Sequence, residues 1–375
     1  MFEDLAKEST LRFVAKAKSL AREVKANLGL GEPDKSPPKK LVELLFEYSK
    51  ARPSYTPPAG LKEAREAVAE WLSYRYKVEV SPEEVMITPS GKAALFLALG
   101  YSSTLYNSAL LFDPTYYSYE PVLRTFGVSI RKVKMVRSGA SYEFPEVSVG
   151  KEVVVLNSPS NPTGSLLGER VLELLEEASR RGGLVVSDEA YDVFVYEGRH
   201  VSVLEYERWR DAAMFVYSFS KVLCVPGWRL GAIVAKEEII KKLAAAASNV
   251  YGCACKWEQL ALSDYLKNYR KDLENHINEM VREYSSRREL VLKKLEGVAT
   301  FPGVGKGAFY AFPEFPVSSE ELALELAKRG VIAVPGTVFS EAYGNKSLRL
   351  SFSASLKELE LGLDVIREVI EDIGG

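Results

Sequence analysis

The fifteen residues "YSFSKVLCVPGWRLG", from Tyr217 to Gly231, combine two serines, a lysine and an arginine with turn-forming proline and glycine. Lys221 directly follows the apolar run "AMFVYSFS", and Arg229 lies eight residues further on. A lysine that is desolvated near other cations loses its proton more easily and becomes a nucleophile. Serine hydroxyls and a guanidinium are groups that hold phosphate. Taken alone, Lys221 is either such a nucleophile or one solvated charge among many.

Short apolar runs recur along the chain, at residues 84–88, 109–113, 152–157, 183–189, 213–220 and 230–235. Several are almost continuous Val, Ile, Leu and Phe, which is typical of strands buried on both faces of a parallel sheet. Helical patterns lie between them, at Leu61–Tyr76, Lys92–Gly100 and Gly168–Gly182. This alternation predicts a doubly wound α/β domain over roughly residues 50–240.

Polar residues follow the apolar runs, where the carboxyl ends of parallel strands bind ligands. Ser90, Gly91 and Lys92 open a helix, and such a start offers free backbone N–H groups to a phosphate. The groups after the later runs are Tyr116, Asn161, Asp188, Tyr191, Ser218, Ser220, Lys221 and Arg229. This set suits a phosphorylated aromatic aldehyde, with the lysine on the aldehyde and the aspartate on a protonated ring nitrogen.

Seven motifs in one order carry a family resemblance. They are "GEPD" (31–34), "SYTPPAG" (54–60), "PSGKAAL" (89–95), "NPTG" (161–164), "DEAY" (188–191), "SFSK" with "GWRLG" (218–231), and "RLSFS" (349–353). Over nearly its whole length the chain resembles the class I and II aminotransferases, pyridoxal-phosphate enzymes of fold type I similar to aspartate aminotransferase. The resemblance implies a large domain with a mostly parallel sheet and a smaller α+β domain.

The resemblance also implies a role for each matching residue. Lys221 would form the covalent link to pyridoxal 5'-phosphate, Asp188 would keep its ring nitrogen protonated, and Tyr191 would join Asn161 at the ring oxygen. Tyr116 would stack on the ring, with Tyr117 and Tyr119 as alternatives. The phosphate would be held by Ser90, Gly91, Lys92 through its backbone, Ser218, Ser220, Arg229 and, from the neighbouring subunit of a homodimer, Tyr55. Arg349, helped by Gly31 and Asn161, would bind the substrate carboxylate.

The chain is expected to divide into three parts. Residues 1–35 comprise a helix over about the first 26 residues and a crossing segment that packs with the small domain. Residues 36–260 form the cofactor-binding domain, and residues 261–375 the small domain. The tail begins with one long helical pattern over 256–296. Short apolar runs, a helix near 318–330 and a last helix from about Leu356 complete it.

Composition excludes several function classes. A net charge of −2 and a pI near 6.0 give no footprint for nucleic acid or an anionic membrane. No apolar run approaches the ~20 residues of a membrane span, and the start lacks a signal peptide's apolar centre. Three cysteines and two histidines lack ligand-like spacing, so no metal site is expected. A cytoplasmic enzyme that uses small-molecule substrates is predicted.

The expected reaction is ping-pong transfer of an amino group from an L-amino acid to a 2-oxo acid, with 2-oxoglutarate as the favoured acceptor. The donor is predicted to be aspartate or a broad set that includes aromatic amino acids. No arginine of this sequence is assigned to a distal carboxylate. Two alternatives stand beside it: a β-lyase or other non-transaminating reaction on the same fold, and a non-enzymatic sensor domain. The sensor is disfavoured, because only about 26 residues precede the "NLGLGEPD" segment where a DNA-binding module would be needed.

Overall fold

The structure of the chain is a computed structural model that describes residues 2–5 and 9–374. The strands are β1 (Ala26–Asn27), β2 (Val85–Thr88), β3 (Ser108–Asp113), β4 (Ser129–Lys134), β5 (Val136–Ser138), β6 (Ser141–Glu143), β7 (Val153–Asn157), β8 (Leu184–Asp188), β9 (Ala213–Ser218), β10 (Gly231–Val234), β11 (Tyr310–Ala311), β12 (Val331–Ile332), β13 (Val334–Pro335) and β14 (Leu348–Ser351).

The α-helices follow the same chain order. They are α1 (Phe2–Leu5), α2 (Thr10–Leu20), α3 (Lys39–Ser49), α4 (Lys62–Tyr76), α5 (Gly91–Ser103), α6 (Tyr119–Thr125), α7 (Arg170–Arg181), α8 (Trp209–Ala212), α9 (Phe219–Val222), α10 (Glu237–Val250), α11 (Lys256–Asn268), α12 (Arg270–Leu295), α13 (Ser319–Lys328) and α14 (Leu356–Gly374). Short 3₁₀ turns occur at Pro82–Glu84, Val203–Glu205, Pro226–Trp228 and Gly336–Val338.

The main sheet is built from the apolar runs of the sequence. In the described part of the chain it has seven strands in the order β2-β10-β9-β8-β7-β3-β4, and only β10 runs antiparallel to its neighbours. In β7, Val154 and Leu156 pack into one apolar core while Val153 and Val155 pack into the other. A strand with two buried faces needs apolar residues at every position. All six predicted strands therefore belong to this sheet.

Two predicted elements differ from the structure. The helix predicted over 256–296 is two helices, because Tyr269 ends α11 and begins α12 with a non-helical φ of −126°. The helix predicted over the first 26 residues is also shorter, and its residues 1 and 6–8 lie outside the described part. It ends at Leu20, and β1 pairs in parallel with β12 from the far end of the chain. Long-range pairing here overrides local helix propensity.

In the C-terminal third of the chain, helices surround smaller sheets. Strands β11, β14 and β13 form one antiparallel sheet within the described residues, with Arg349 on β14 opposite Val334. Helices α12, α13 and α14 pack around it through buried residues such as Leu326 and Ile366. No helix of the described chain is long and apolar enough to cross a membrane. The domain boundaries after residues 35 and 260 stay predictions from the sequence.

Candidate active site

A cavity of about 250 Å³ lies at the carboxyl ends of β7, β8 and β9. Thirteen of the predicted site residues line it: Gly31, Ser90, Gly91, Lys92, Tyr116, Asn161, Asp188, Tyr191, Ser218, Ser220, Lys221, Arg229 and Arg349. Tyr55 does not. Its side chain is 96% exposed on the surface of this chain. The strand-end positions that are far apart in sequence are thus brought to one place.

Lys221 lies at the base of the cavity, in the single helical turn α9 that follows β9. Its Nζ donates a hydrogen bond to the carbonyl oxygen of Gly31. Burial lowers the pKa of the Lys221 ammonium to about 8, and the nearby guanidinium groups of Arg349 and Arg229 add to this effect. Glu32 and Asp188 oppose it. A larger fraction of the amine is therefore neutral near pH 7 than for an ordinary lysine.

Asp188 ends β8 and presents its carboxylate to the same cavity. The Tyr119 hydroxyl donates to Oδ2 at 2.9 Å, and the Ala190 N–H donates to Oδ1 at 3.3 Å. Burial nevertheless raises the pKa of the Asp188 carboxyl to about 6, although both donors favour the charged form. A buried carboxylate with this pKa gains from a cationic partner. A protonated ring nitrogen is such a partner.

Hydrogen bonds join the side chains along one wall. Asn157, at the end of β7, accepts from the Asn161 N–H at 2.6 Å and donates to the Asp188 carbonyl at 2.9 Å. The hydroxyls of Tyr191 and Tyr310 lie 2.9 Å apart, and the Asn161 amide donates to Tyr191 at 3.5 Å. The chain thus sets an amide and a phenol beside each other, as a phenolate oxygen of a ligand requires.

The cradle for an anion is at the start of α5. Ser90 has a φ of 115° and caps the helix by accepting from the Ala93 N–H at 3.1 Å. A Cβ at Gly91 would lie 2.8 Å from the Ser218 Cβ, so glycine is needed for this approach. Ser218 and Ser220 are buried at the cavity wall, and Arg229 lines it from the surface side. N–H groups, hydroxyls and a guanidinium at one place suit a phosphate.

Arg349 is 2% exposed on β14. It donates through Nη2 to the Gly29 carbonyl and through Nη1 to the Asn161 Oδ1 at 3.4 Å. Its guanidinium lies over the rings of Tyr310 and Phe339, 4.8 Å from each centroid. Its Nε has no hydrogen-bond partner among the described residues. A buried guanidinium with spare donors is equipped to bind a carboxylate.

The three candidate tyrosines of "TYYSY" differ in position. Tyr119 is 1% exposed, lies behind the cavity and holds Asp188, so it is not a stacking ring. Tyr116 and Tyr117 both line the cavity, with their ring centroids 4.7 Å apart. The Tyr117 hydroxyl accepts from the Lys92 Nζ at 2.9 Å. Tyr116 contacts the rings of both Tyr117 and Tyr119, so Tyr116 and Tyr117 both stay candidates for stacking on the cofactor ring.

Sequence reasoning missed several lining residues. Asn157 could have been found, because it ends an apolar run in the same way as Asp188. Tyr310, Glu32 and Leu11 carry no such signal, because they come from segments outside the main sheet. The side chain of Lys92 donates to the lining residue Tyr117, although only the Lys92 backbone was expected at the site. The described residues hold no group of three or more His, Cys, Asp or Glu that could bind a metal.

The residues present fit a phosphorylated pyridine aldehyde: an anion cradle, a buried carboxylate, an amide–phenol pair and a lysine with a lowered pKa face one cavity. Fold and site together define an α/β enzyme with a covalently held cofactor. The model of the family "Aminotransferase class I and II" matches residues 23–366, so the chain belongs to this family. It is a pyridoxal-phosphate-dependent aminotransferase of fold type I, as the sequence predicted.

Similar proteins cover almost the entire chain. An aspartate aminotransferase of Sulfolobus acidocaldarius is 33% identical, over 98% of this chain and 96% of the relative. The structure of Thermus thermophilus aspartate aminotransferase with maleate has a TM-score of 0.88 at 29% identity and covers 97% of each chain. The aromatic aminotransferase of Pyrococcus horikoshii has a TM-score of 0.85 at 29% identity, over 96% of this chain and 99% of that chain.

Proposed function

We propose that this aminotransferase acts on L-aspartate as amino donor and on 2-oxoglutarate as acceptor. The observation that carries the proposal is Lys92, which lines the cavity in addition to Arg229 and Arg349 and whose ammonium donates to the hydroxyl of Tyr117, another lining residue. The names of the relatives in Sulfolobus and Thermus support the same substrate. Dicarboxylates are the substrates that need a further cation.

Besides Lys221, three cationic residues line the cavity, and the cofactor phosphate and the two carboxylates of aspartate are three anions. Arg229 adjoins the cradle of Ser90 and Ser218 and suits the cofactor phosphate. Arg349 suits the α-carboxylate, because its Nε has no hydrogen-bond partner among the described residues and its position is fixed by Gly29. Lys92 is then left for the distal carboxylate. Its bond to the Tyr117 hydroxyl fixes the ammonium at the wall without neutralising its charge.

The residues around the cavity then have distinct tasks. Pyridoxal phosphate, when bound, supplies an aldehyde that carries the amino group and a ring that accepts electrons from the substrate α-carbon. Lys221 would hold the cofactor through its Nζ, and as a neutral amine it would take the proton from the substrate α-carbon. Its lowered pKa favours the neutral amine that this role needs. Asp188 would keep the ring nitrogen charged, and Tyr119 and Ala190 hold that carboxylate in place.

Replacement of Lys92 by methionine tests the substrate. Lys92→Met keeps the length of the side chain and removes one charge-assisted bond, so kcat/KM for aspartate should fall about 10- to 100-fold. Activity with alanine, which has no distal carboxylate, should change by less than about threefold. Lys241→Met, an exposed lysine on α10 paired with Glu237, serves as the matched control. Half-reactions followed by the cofactor absorbance give both values.

An aromatic donor is the second candidate. Leu11, Leu30 and Tyr117 line the cavity and offer apolar surface to a ring. If aromatic amino acids are the preferred donors, kcat/KM is higher for tyrosine than for aspartate, and Lys92→Met does not change this order. Release of pyruvate and ammonia from cysteine without a 2-oxo acid acceptor would instead indicate a β-lyase.

The proposed active unit is a homodimer with shared sites. The backbone around Tyr55 is fixed, because Thr56 N–H donates to Cys253 Sγ and Lys256 donates to Ser54. The tyrosine ring itself projects 96% exposed. A ring that its own chain leaves exposed is accessible to a second copy of the chain, as the proposed shared site requires. The cytoplasmic location stays a prediction from the sequence.

A further inference from the structure

Residues 29–34, here called the carbonyl loop, form one wall of the active-site cavity through Leu30, Gly31 and Glu32. Two of its backbone carbonyls accept hydrogen bonds from cationic side chains of the site. The Gly31 carbonyl accepts from Lys221, and the Gly29 carbonyl accepts from Arg349. The position of this loop therefore sets where both cations point.

The loop is attached at both ends. At its start, the Leu28 N–H donates to Ile332 and the Leu28 carbonyl accepts from Ser351, each at 2.8 Å. At its far end, the Asp34 carboxylate receives two bonds from Arg287, at 3.0 and 2.8 Å. The loop thus spans from the small sheet to helix α12.

Arg287 is itself held in place. It is 3% exposed on α12 and also donates to the Ala354 carbonyl at 2.5 Å. Tyr284, one turn before it on the same helix, donates to Asp34 Oδ1 at 3.2 Å. A two-point guanidinium–carboxylate contact, here between a buried arginine and a partly exposed aspartate, fixes orientation as well as distance.

Other contacts hold the middle of the loop. A Cβ on Gly31 would lie 1.9 Å from the Tyr310 hydroxyl, so only glycine fits at this position. Between residues 29 and 34, the Glu32 carbonyl accepts from the Ser353 hydroxyl at 2.8 Å, and Asp34 N–H donates to the Ser353 carbonyl at 3.2 Å. The Asp34 carboxylate adds the side-chain contact that fixes the far end of the loop to Arg287.

We propose that Asp34 and Arg287 are positioning residues, which hold the carbonyl loop against Arg349 and thereby set the affinity for the substrate carboxylate. The proposal rests on the role proposed above for Arg349. It predicts an effect on substrate binding that is larger than the effect on turnover, because in the holoenzyme the cofactor, and not the Gly31 carbonyl, would hold the Lys221 Nζ.

The test is Asp34→Asn in the holoenzyme, with Asp364→Asn as matched control. Asp364 lies on α14 and pairs at the surface with Lys294, which is on α12 as Arg287 is. Asp34→Asn should raise the KM for the amino acid donor about tenfold, with kcat changed by less than about twofold. Amide hydrogen exchange of residues 29–34 should become faster in both cofactor-free and loaded protein. The control should change neither value.

Arg287→Lys is the second variant, which keeps the buried positive charge and loses the two-point contact. It should reproduce the rise in KM and the faster exchange. A drop in kcat at unchanged KM, or exchange of residues 29–34 that equals the control, would overturn the proposal. Hydrogen exchange does not depend on the substrate identity, so this outcome is separate from a failure of the aspartate assignment.

Discussion

The two central charged residues of the site are held in environments that disfavour their charges. Burial raises the pKa of Asp188 to about 6 and lowers the pKa of Lys221 to about 8. In the folded chain each group therefore prefers its neutral form more than it does in the unfolded chain. Both shifts lower stability near neutral pH, and both are what the chemistry of the site requires.

Replacement of Asp188 by asparagine should separate stability from function. The pKa of Asp188 rises from 3.8 to about 6 on folding, so the folded state holds its proton more tightly. Stability of the cofactor-free protein therefore falls as pH rises from about 4 to 6, by about 3 kcal/mol at most. Cofactor-free Asp188→Asn should be more stable than the native protein at pH 7 and equal to it at pH 4. Urea unfolding at both pH values measures this.

The same variant should lose at least about 10²-fold in kcat, because the ring nitrogen loses its anionic partner. Asp211→Asn, at a carboxylate that is 68% exposed, should show neither effect. Equal stability of native protein and Asp188→Asn at pH 7 would contradict the assigned burial cost.

Single residues were predictable from the sequence where a strand end supplied them. Lys221, Asp188 and Asn161 follow apolar runs, and the order of the runs places them together. Tyr119 was expected only as a possible stacking ring, although its hydroxyl lies on Asp188, 69 positions away. Such a contact depends on how α6 packs relative to β8, which no local sequence pattern encodes.

At the scale of elements, Asp192 joins three parts of the main domain behind the cavity. Its carboxylate accepts from Arg75 at 2.6 Å and from Tyr76 at 2.8 Å, both at the end of α4. Tyr217 on β9 donates to the other oxygen at 3.0 Å. Asp192 adjoins Tyr191, and Tyr217 adjoins a serine of the anion cradle. The network thus fixes two walls of the site from behind.

Asp192→Ala should therefore destabilise the fold strongly. It leaves two buried phenols without their acceptor and a partly buried guanidinium with only its bond to the Asp192 backbone carbonyl, which together cost about 3–5 kcal/mol. The midpoint of urea unfolding should fall accordingly. Asp211→Ala, which breaks the exposed ion pair with Lys236, should cost less than about 1 kcal/mol. Similar losses for both variants would show that the buried network contributes no more than a surface pair.

Elements with two buried faces were predictable from the sequence, and edge elements were not. Strand β4 (Ser129–Lys134) has no fully buried residue, so its charged sequence gave no apolar run. It still extends the sheet through six paired positions with β3. The break at Tyr269 was also invisible, because no glycine or proline marks it. Tyr269 packs against the larger apolar core, and no local pattern encodes this contact.

At the scale of the whole molecule, Tyr55 is the one predicted site residue that one chain does not bring to the cavity. Thirteen predicted residues meet there, while this tyrosine stays at the surface on a fixed backbone. If its hydroxyl binds the phosphate of a neighbouring subunit, Tyr55→Phe should weaken cofactor affinity about 10-fold. A side chain that is 96% exposed on its own chain gives no reason for such a loss within that chain.

A hybrid of two defective variants tests whether the site is shared. Lys221→Ala should be inactive, and Tyr55→Phe should be weak when the cofactor is limiting. In a mixed dimer, the one intact Lys221 belongs to the Tyr55→Phe chain, and the intact Tyr55 belongs to the other chain. If the tyrosine acts across the interface, this dimer contains one complete site, and cofactor affinity returns to the native value at that site. If Tyr55 acts within its own chain, the site that contains the intact Lys221 still has phenylalanine at position 55, and its affinity for the cofactor stays low.

Differently tagged chains, refolded together and purified as the mixed dimer, allow the cofactor titration that distinguishes these outcomes. A protein that elutes as a monomer at micromolar concentration would contradict the shared site before any titration.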